Sequence, residues 1–320
     1  MEKSIKPKSR SNKDFVYQFA ATRTLSGQDM GYYAACLSGL YCSTDDGLSW
    51  HSAFSSLNLQ EGLSALAVAV SPDFKEDPSL FVGVNGGVLH SPDGGLSWRS
   101  VLHYSPPPAI SALAISPNYV GDGTLFAGSL EDGVFRSSDG GRQWSAWNFG
   151  LMDLRILCLA ISPNFASDEM LFVGTQSGIF RSTNGGRAWQ EVELPVSFTA
   201  ILSLAYSPDF TQDATLFTGT EKRGLLRSVD GGQTWVRLAK SELSGPINAI
   251  LVGLSYSKVP DLLALQGGAL LVSQDGGKTW KAWQDDQLTG KDVATVLAPH
   301  GFGMKEKILV GYMDGTIGCM

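Results

Sequence analysis

The octapeptide Ser137-Ser-Asp-Gly-Gly-Arg-Gln-Trp144 combines what a tight β-hairpin needs. Its Asp-Gly and Gly-Gly pairs supply left-handed backbone at no steric cost, and the carboxylate can accept turn amide hydrogens. The Trp then opens the next strand and packs beneath the turn. Five further segments align with it: Ser43-Thr-Asp-Asp-Gly-Leu-Ser-Trp50, Ser91-Pro-Asp-Gly-Gly-Leu-Ser-Trp98, Ser182-Thr-Asn-Gly-Gly-Arg-Ala-Trp189, Ser228-Val-Asp-Gly-Gly-Gln-Thr-Trp235 and Ser273-Gln-Asp-Gly-Gly-Lys-Thr-Trp280. Successive copies start 48, 46, 45, 46 and 45 residues apart, a period that signals a repeat architecture. Asn184 replaces the Asp in one copy and Asp46 the first Gly in another. Both residue types tolerate turn geometry and accept hydrogen bonds, so both hairpins are expected to survive.

Outward from each octapeptide run short apolar strands punctuated by turns. In the third repeat Ile110–Ile115 reads as an inner strand, Thr124–Gly128 as the second and Gly133–Arg136 as the third, with a fourth starting at Trp144. Inner-strand counterparts are Phe15–Ala21, Leu63–Val70, Ile156–Ile161, Ile201–Tyr206, Ile247–Leu254 and Val293–Leu297. The last repeat has a second strand at Ile308–Gly311 and a third at Thr316–Cys319, without an octapeptide. Seven inner strands predict an all-β fold, a single seven-bladed β-propeller over residues 14–320, with the hairpins joining third and fourth strands. Residues 1–13 form a basic arm. Either its segment Lys3–Arg10 supplies the outer strand of the last blade, or that blade has three strands and the arm is disordered.

The composition is that of a folded protein rich in turns, with 43% hydrophobic residues, 37 glycines and 8 tryptophans in 320 residues. A net charge of −7 argues against a phosphate backbone as partner, and no apolar run reaches membrane-spanning length, so neither nucleic acid nor a membrane span is expected. The arm lacks the apolar region of a secretory signal, and the four cysteines lack C-x-x-C spacing. Buried thiols in a cytoplasmic protein are the expectation.

The octapeptides match the Asp box, or bacterial neuraminidase repeat, S-x-D-x-G-x-x-W, over almost the whole chain. Sialidases carry this repeat, which raises glycoside hydrolysis. They also need an arginine cluster, a Tyr nucleophile and usually an Arg-Ile-Pro motif; here no inner strand has an internal Arg, and Arg-Ile-Pro does not occur. Xyloglucan-cleaving endoglucanases pair two such propellers, and this chain has one. In size and box density the chain is similar to the photosystem II assembly and stability factor family, and more broadly to sortilin-like and sialidase-like repeat proteins. The first resemblance implies a scaffold that binds protein partners.

A residue type that recurs at one position in most blades serves the blade, so repetition separates fold from function. The box aspartates fall to the fold, as do Asp29, Asp77, Asp122, Asp168, Asp213 and Asp261, turn residues shortly before second strands. Trp147 and Trp283, three residues after box tryptophans, read as packing between blades, and Arg136, Arg181 and Arg227 as side chains snorkelling between sheets. Box hairpins share one side of the ring with the connections from first to second strand. The opposite side carries the second-to-third turns and the inter-blade connections. Blade-unique residues expected there are His103, Tyr104, Glu131, Asp132, Asn148, Phe149, Asp153, Arg155, Glu221, Lys222, Arg223, Asp285, Asp286 and Asp314.

No cofactor chemistry stands out. His51, His90, His103 and His300 lack ligand spacing, so no metal site is predicted, and the Gly pairs belong to hairpins rather than phosphate-binding loops. The leading functional reading is a non-enzymatic interaction or assembly scaffold binding a protein or peptide through Tyr104, Phe149, Arg155, Glu221, Lys222, Arg223 and Asp314. The alternative is a glycoside hydrolase or lyase-like enzyme acting on a glycan or small metabolite in the central pocket. Glu131, Asp132, Asp153, Asp285, Asp286 or His103 would then supply the acid and base. A lectin, the third possibility, would need exposed rings such as Phe149 and Tyr104.

Overall fold

The computed structural model describes residues 14–22, 31–239, 241–283, 288, 290–304 and 306–320. Among the described residues seven antiparallel sheets form the blades, six with four strands and the last with three, each in simple sequence order. In the third blade Ile110–Ile115 pairs with Leu125–Ser129, which pairs with Val134–Ser137 and then with Ser145–Ala146. The predicted strands hold to within about two residues at each end, the ordinary uncertainty of a boundary. Asp29, Asp285, Asp286 and the arm segment Lys3–Arg10 lie outside the described residues. Among the described residues no helix is long and apolar enough to cross a membrane.

The blades stack because their second strands are buried on both faces. Leu80–Val84, Leu125–Ser129, Leu171–Thr175 and Leu216–Thr220 have every residue buried, and Phe81, Phe126, Phe172 and Phe217 are fully enclosed. A glycine in these strands brings the next blade close. A Cβ on Gly128 would meet Ile156 Cγ2 at 2.5 Å, and one on Gly83 would meet Ile110 Cγ2 at 2.7 Å. Across the closure of the ring, Gly311 stands in the same relation to Val16, at 2.7 Å from its Cβ. Repetition of one contact around the circle fixes the blade spacing.

The box is a hydrogen-bonded unit. In the third blade Ser137 Oγ donates to Asp139 Oδ1 (2.9 Å) and accepts from Gly141 N (2.9 Å). Asp139 Oδ1 also accepts from Arg142 N and Gln143 N, both at 3.0 Å, and Trp144 Nε1 donates to Gly141 O at 3.1 Å. Asn184 keeps the pattern, its Oδ1 accepting from Ser182 Oγ (2.9 Å) and Ala188 N (3.0 Å). Asp46 adopts the left-handed backbone of the glycine it replaces, with φ 64°. Its carboxylate does more than the sequence suggested. Oδ1 accepts from Tyr32 Oη at 2.6 Å and Oδ2 pairs with Lys307 Nζ at 2.5 Å, so the first box latches onto the last blade.

The turn aspartates have a defined task. Asp122, in the one-turn helix Tyr119–Asp122, accepts from Ser116 Oγ (2.6 Å) and Thr124 N (2.8 Å). Asp168 and Asp213 repeat this in Phe165–Asp168 and Phe210–Asp213. Sequence patterning did not reveal these helices, since four residues are too few to display a helical period. Arg136 lies over the Trp147 ring (4.4 Å) and donates to Gly185 O of the next blade (3.0 Å), so it does bridge sheets. Trp147 therefore covers a guanidinium, whereas Trp283 packs across the blade boundary near Phe302 (6.3 Å). Among the described residues no disulfide forms; Cys36 is buried and Cys42, Cys158 and Cys319 are partly buried.

Candidate functional site

All seven inner strands wall a central cavity of ≈270 Å³. A register shift near the start of each inner strand places Tyr17, Leu66, Ser111, Leu157, Leu202 and Asn248 on this wall. Further in, it is lined by Leu113, Leu159, Leu204 and Ile250, with Gln18, Ser203 and Thr295 as neutral polar points. Among the described residues no carboxylate and no imidazole line it. Burial pushes the Cys158 thiol on this wall up to about 12, which leaves it protonated and inert.

The loop side of blades 3 to 5 brings several of the expected residues together. Asp153, in the connection between blades 3 and 4, is 7% exposed. Its Oδ1 accepts from Arg155 N (3.1 Å) and Arg155 Nε (2.9 Å), and its Oδ2 from Ser177 N in the turn of blade 4 (2.9 Å). Burial raises its pKa, but these donors outweigh burial and hold it below the usual carboxylate range. Asp153 is therefore a buried anchor that tethers the connection and aims Arg155, whose side chain is 52% exposed. Asn148 fixes the other end, accepting from Val134 N (2.8 Å) and donating to Asp132 O (2.9 Å). Between them Phe149 O accepts from the box residue Trp189 N (2.8 Å), and the Phe149 ring is 79% exposed. Met152 is 82% and Leu154 38% exposed on the same connection.

Beyond blade 4, Arg223 donates to Ser197 Oγ, which joins the turn of blade 5 to the preceding connection. Glu221 and Lys222 on that turn pair at 3.3 Å with both side chains largely in solvent. Phe198, 77% exposed, stands beside a groove of ≈200 Å³ that includes Glu191, Glu193 and Val196. The result is an arc over three consecutive blades in which apolar side chains alternate with charges of both signs.

Other expected residues lie elsewhere or serve turns. The Tyr104 ring packs against Phe135 (4.8 Å) and is 42% exposed, so only part of it is available. His103 and Glu131 are exposed. Asp314 sits on blade 7, across the ring from the arc, where it accepts from Thr316 N (2.9 Å) and Oγ1 (2.6 Å) in its own turn. Those bonds, first of all the one from the Thr316 hydroxyl, lower its pKa. Met152, Leu154, Ser197 and Phe198 had not been singled out. An apolar residue in a connection reads as packing unless its exposure is known; the blade-unique Phe in Pro195-Val-Ser-Phe198 was the available signal.

A model of the photosynthesis system II assembly factor YCF48 family matches residues 145–304, half of the chain. The chain belongs to that family. No curated protein matches the sequence. YCF48 bound to D1 peptide is similar in fold at 17% identity, with a TM-score of 0.70 over 96% of this chain and 93% of that one. A glycoside hydrolase enzyme of Niastella koreensis, of the GH74 type, gives a TM-score of 0.76 at 17% identity, covering 96% of this chain and 52% of the enzyme. The extracellular domain of a one-component system from B. thetaiotaomicron gives 0.71 at 18% identity, covering 96% of this chain. This chain spans only 38% of that domain. The YCF48 family member and the enzyme thus share one ring architecture, and at these identities the likeness is one of fold.

Proposed function

We propose that this chain is a protein-interaction scaffold that holds a partner protein or peptide on the arc over blades 3 to 5. The observation that carries this reading is a set of exposed apolar side chains on a fixed backbone: Phe149, Met152 and Leu154 are held between the Asn148, Trp189 and Asp153 contacts. Exposed apolar groups rimmed by charge mark interaction surfaces, and a pre-ordered loop loses little entropy on binding. Arg155, Lys222 and Arg223 add donors for a partner's carboxylates or carbonyls. A family relative bound to a peptide supports the same class of partner.

The glycan-cleaving alternative has weaker support. Its central pocket is walled by leucines and neutral polar groups. Among the carboxylates considered for it, Asp153 is committed to its hydrogen bonds and Glu131 lies in the open.

Site-specific photo-crosslinking tests the scaffold reading. A crosslinking residue at Phe149 or Phe198 is expected to capture one protein in cells, whereas one at Leu96, 77% exposed on the box side, captures none. Equal capture from all three positions, or none from the arc, would refute it. A screen for hydrolysis of oligosaccharides that found turnover lost in Glu131→Gln would favour the enzyme instead.

A further inference from the structure

On the box side, between blades 2 and 3, lies a cavity of ≈330 Å³ whose wall includes Asp77, Ser79, His90, Arg99, Tyr119 and Arg142. It coincides with a difference between blade 2 and the three blades that follow. Arg136, Arg181 and Arg227 precede the box in three successive blades. There Arg136 Nη1 donates to Gly185 O of the next box (3.0 Å) and Arg227 Nη1 to Gly276 O (3.3 Å), filling the space between blades. In blade 2 the same position is His90. Its shorter ring stacks flat on Phe81, with centroids 4.4 Å apart and planes at 3°. A guanidinium arrives instead from Arg99 on the outer strand, Nη2 lying 3.0 Å from His90 Nδ1. Gly140, the counterpart of Gly185 and Gly276, accepts instead from Tyr119 Oη at 3.4 Å.

The helix caps also differ in charge between blades. Arg142 and Arg187 occupy the same box position in blades 3 and 4. Arg187 is neutralised by Glu169, which caps the one-turn helix of its blade, at 2.8 Å. The residue that caps the helix of blade 3 is Gly123. Among the described residues neither Arg99 nor Arg142 forms an ion pair, and both are exposed. Asp77, the one carboxylate on the wall, is occupied through Oδ1 with the amide and hydroxyl of Ser79. Burial, with Arg99 next in weight, lowers His90 to about 4, so at neutral pH the imidazole adds no charge and accepts from Arg99.

We propose that this cavity binds an oxyanion, the phosphate or carboxylate group of a small molecule, between the Arg99 and Arg142 guanidinia. Guanidinium is the side chain best suited to oxyanions because its planar fork donates two parallel bonds to a pair of oxygens. The Tyr119 hydroxyl, weakly engaged with Gly140, is a third donor. A volume of ≈330 Å³ suits a small metabolite rather than a polymer segment. The site is on the opposite side of the ring from the arc and stands independently of the scaffold reading.

Calorimetric titration of the full chain with inorganic phosphate, and separately with citrate, tests this. Saturable binding is expected, weakened about tenfold or more in Arg99→Gln and in Arg142→Gln, the usual consequence of losing a hydrogen bond to a charged group. Arg187→Gln, which touches the neutralised counterpart, should leave it unchanged. Thermal melts of the three variants, all altered at the surface, establish that they fold. Binding of phosphate alone assigns a phosphate ligand and of citrate alone a carboxylate one. No saturation by either anion, or binding that survives both cavity substitutions, would overturn the proposal, as would equal loss in Arg187→Gln.

Discussion

Replacing Trp144 by Ala measures how firmly the boxes are built into the ring. Trp144 is 9% exposed and belongs to a cluster with Phe81, Tyr119 and Phe135 that spans blades 2 and 3. A buried aromatic of this kind removes about 150–250 Å² from water, which at about 25 cal/mol per Å² is about 4–6 kcal/mol as an upper bound. The Nε1 bond to Gly141 O, at 3.1 Å, adds about 1 kcal/mol. Partial collapse of the cavity offsets some of this, so Trp144→Ala should cost about 4 kcal/mol, in the range of about 3–5 for such truncations. Against a total stability of about 5–15 kcal/mol the loss is large. Trp50, half-buried with the same indole bond to Gly47 O (3.1 Å), is the internal control and should cost less than half as much. Urea unfolding followed by far-ultraviolet circular dichroism reads both, with the slope checked for constancy. A Trp144→Ala cost below about 1 kcal/mol, or equal costs at the two positions, would refute the account of the box tryptophan as a packed element of the blade interface.

Asp153→Ala removes a buried acceptor of three N–H groups and should cost about 2–3 kcal/mol while reducing crosslinking from Phe149; unchanged capture would mean that the anchor does not order the arc. Glu131→Ala, on an exposed turn, should shift stability by less than about 0.5 kcal/mol in the same urea assay. Asp46→Gly restores the repeat's glycine and removes the carboxylate part of the latch, leaving the Lys307 bond to the backbone carbonyl; the pair is partly in solvent, so the cost should stay below about 1 kcal/mol, with faster amide exchange around Leu309 as the readout. Acid should weaken the ring: Asp45 is held at about 2, chiefly by the Ser49 hydroxyl, and at Asp230 burial is outweighed by Thr234, also giving about 2. Because these folded-state values are depressed, the stabilisation is complete above about pH 4 and falls as pH drops towards 2, so melting temperature should decline across that window and less steeply in Asp45→Asn.

The ring was legible because its determinants repeat. Each box carries its own turn glycines, acceptor and tryptophan within eight residues, so local chemistry specified the hairpin and spacing specified the blade count. The second-strand glycines were equally visible in Leu125-Phe-Ala-Gly128 and Leu171-Phe-Val-Gly174, but their use was not. Gly128 matters because of Ile156, which lies on another blade. The candidate site was read only in part for the same reason. Repetition placed Arg155, Phe149 and Arg223 on one side of the ring, whereas the exposure of Phe198 and the burial of Asp153 depend on which neighbouring turn covers them.

Three departures from the repeat look alike in sequence and differ entirely in consequence. Asn184 changes a carboxylate to an amide and leaves the hairpin intact, because the turn amides need only one oxygen. Asp46 fills a glycine position and its carboxylate reaches Lys307, 261 residues away in the chain, at the seam where the ring closes. His90 stands where Arg136 and Arg227 cross to the next box, and with Gly123 where blade 4 has Glu169, Arg99 and Arg142 line one cavity without an ion pair among the described residues. What separates these outcomes is the residue opposite each position across a blade boundary, typically one repeat away: Arg136 meets Gly185 and Trp98 meets Ala53. In a propeller a substitution therefore acquires meaning only in pairs, one residue from each of two adjoining blades. The cavity that Arg99 and Arg142 line around His90 and Gly123 is such a place, where residues of two adjoining blades can add a binding site without disturbing the ring.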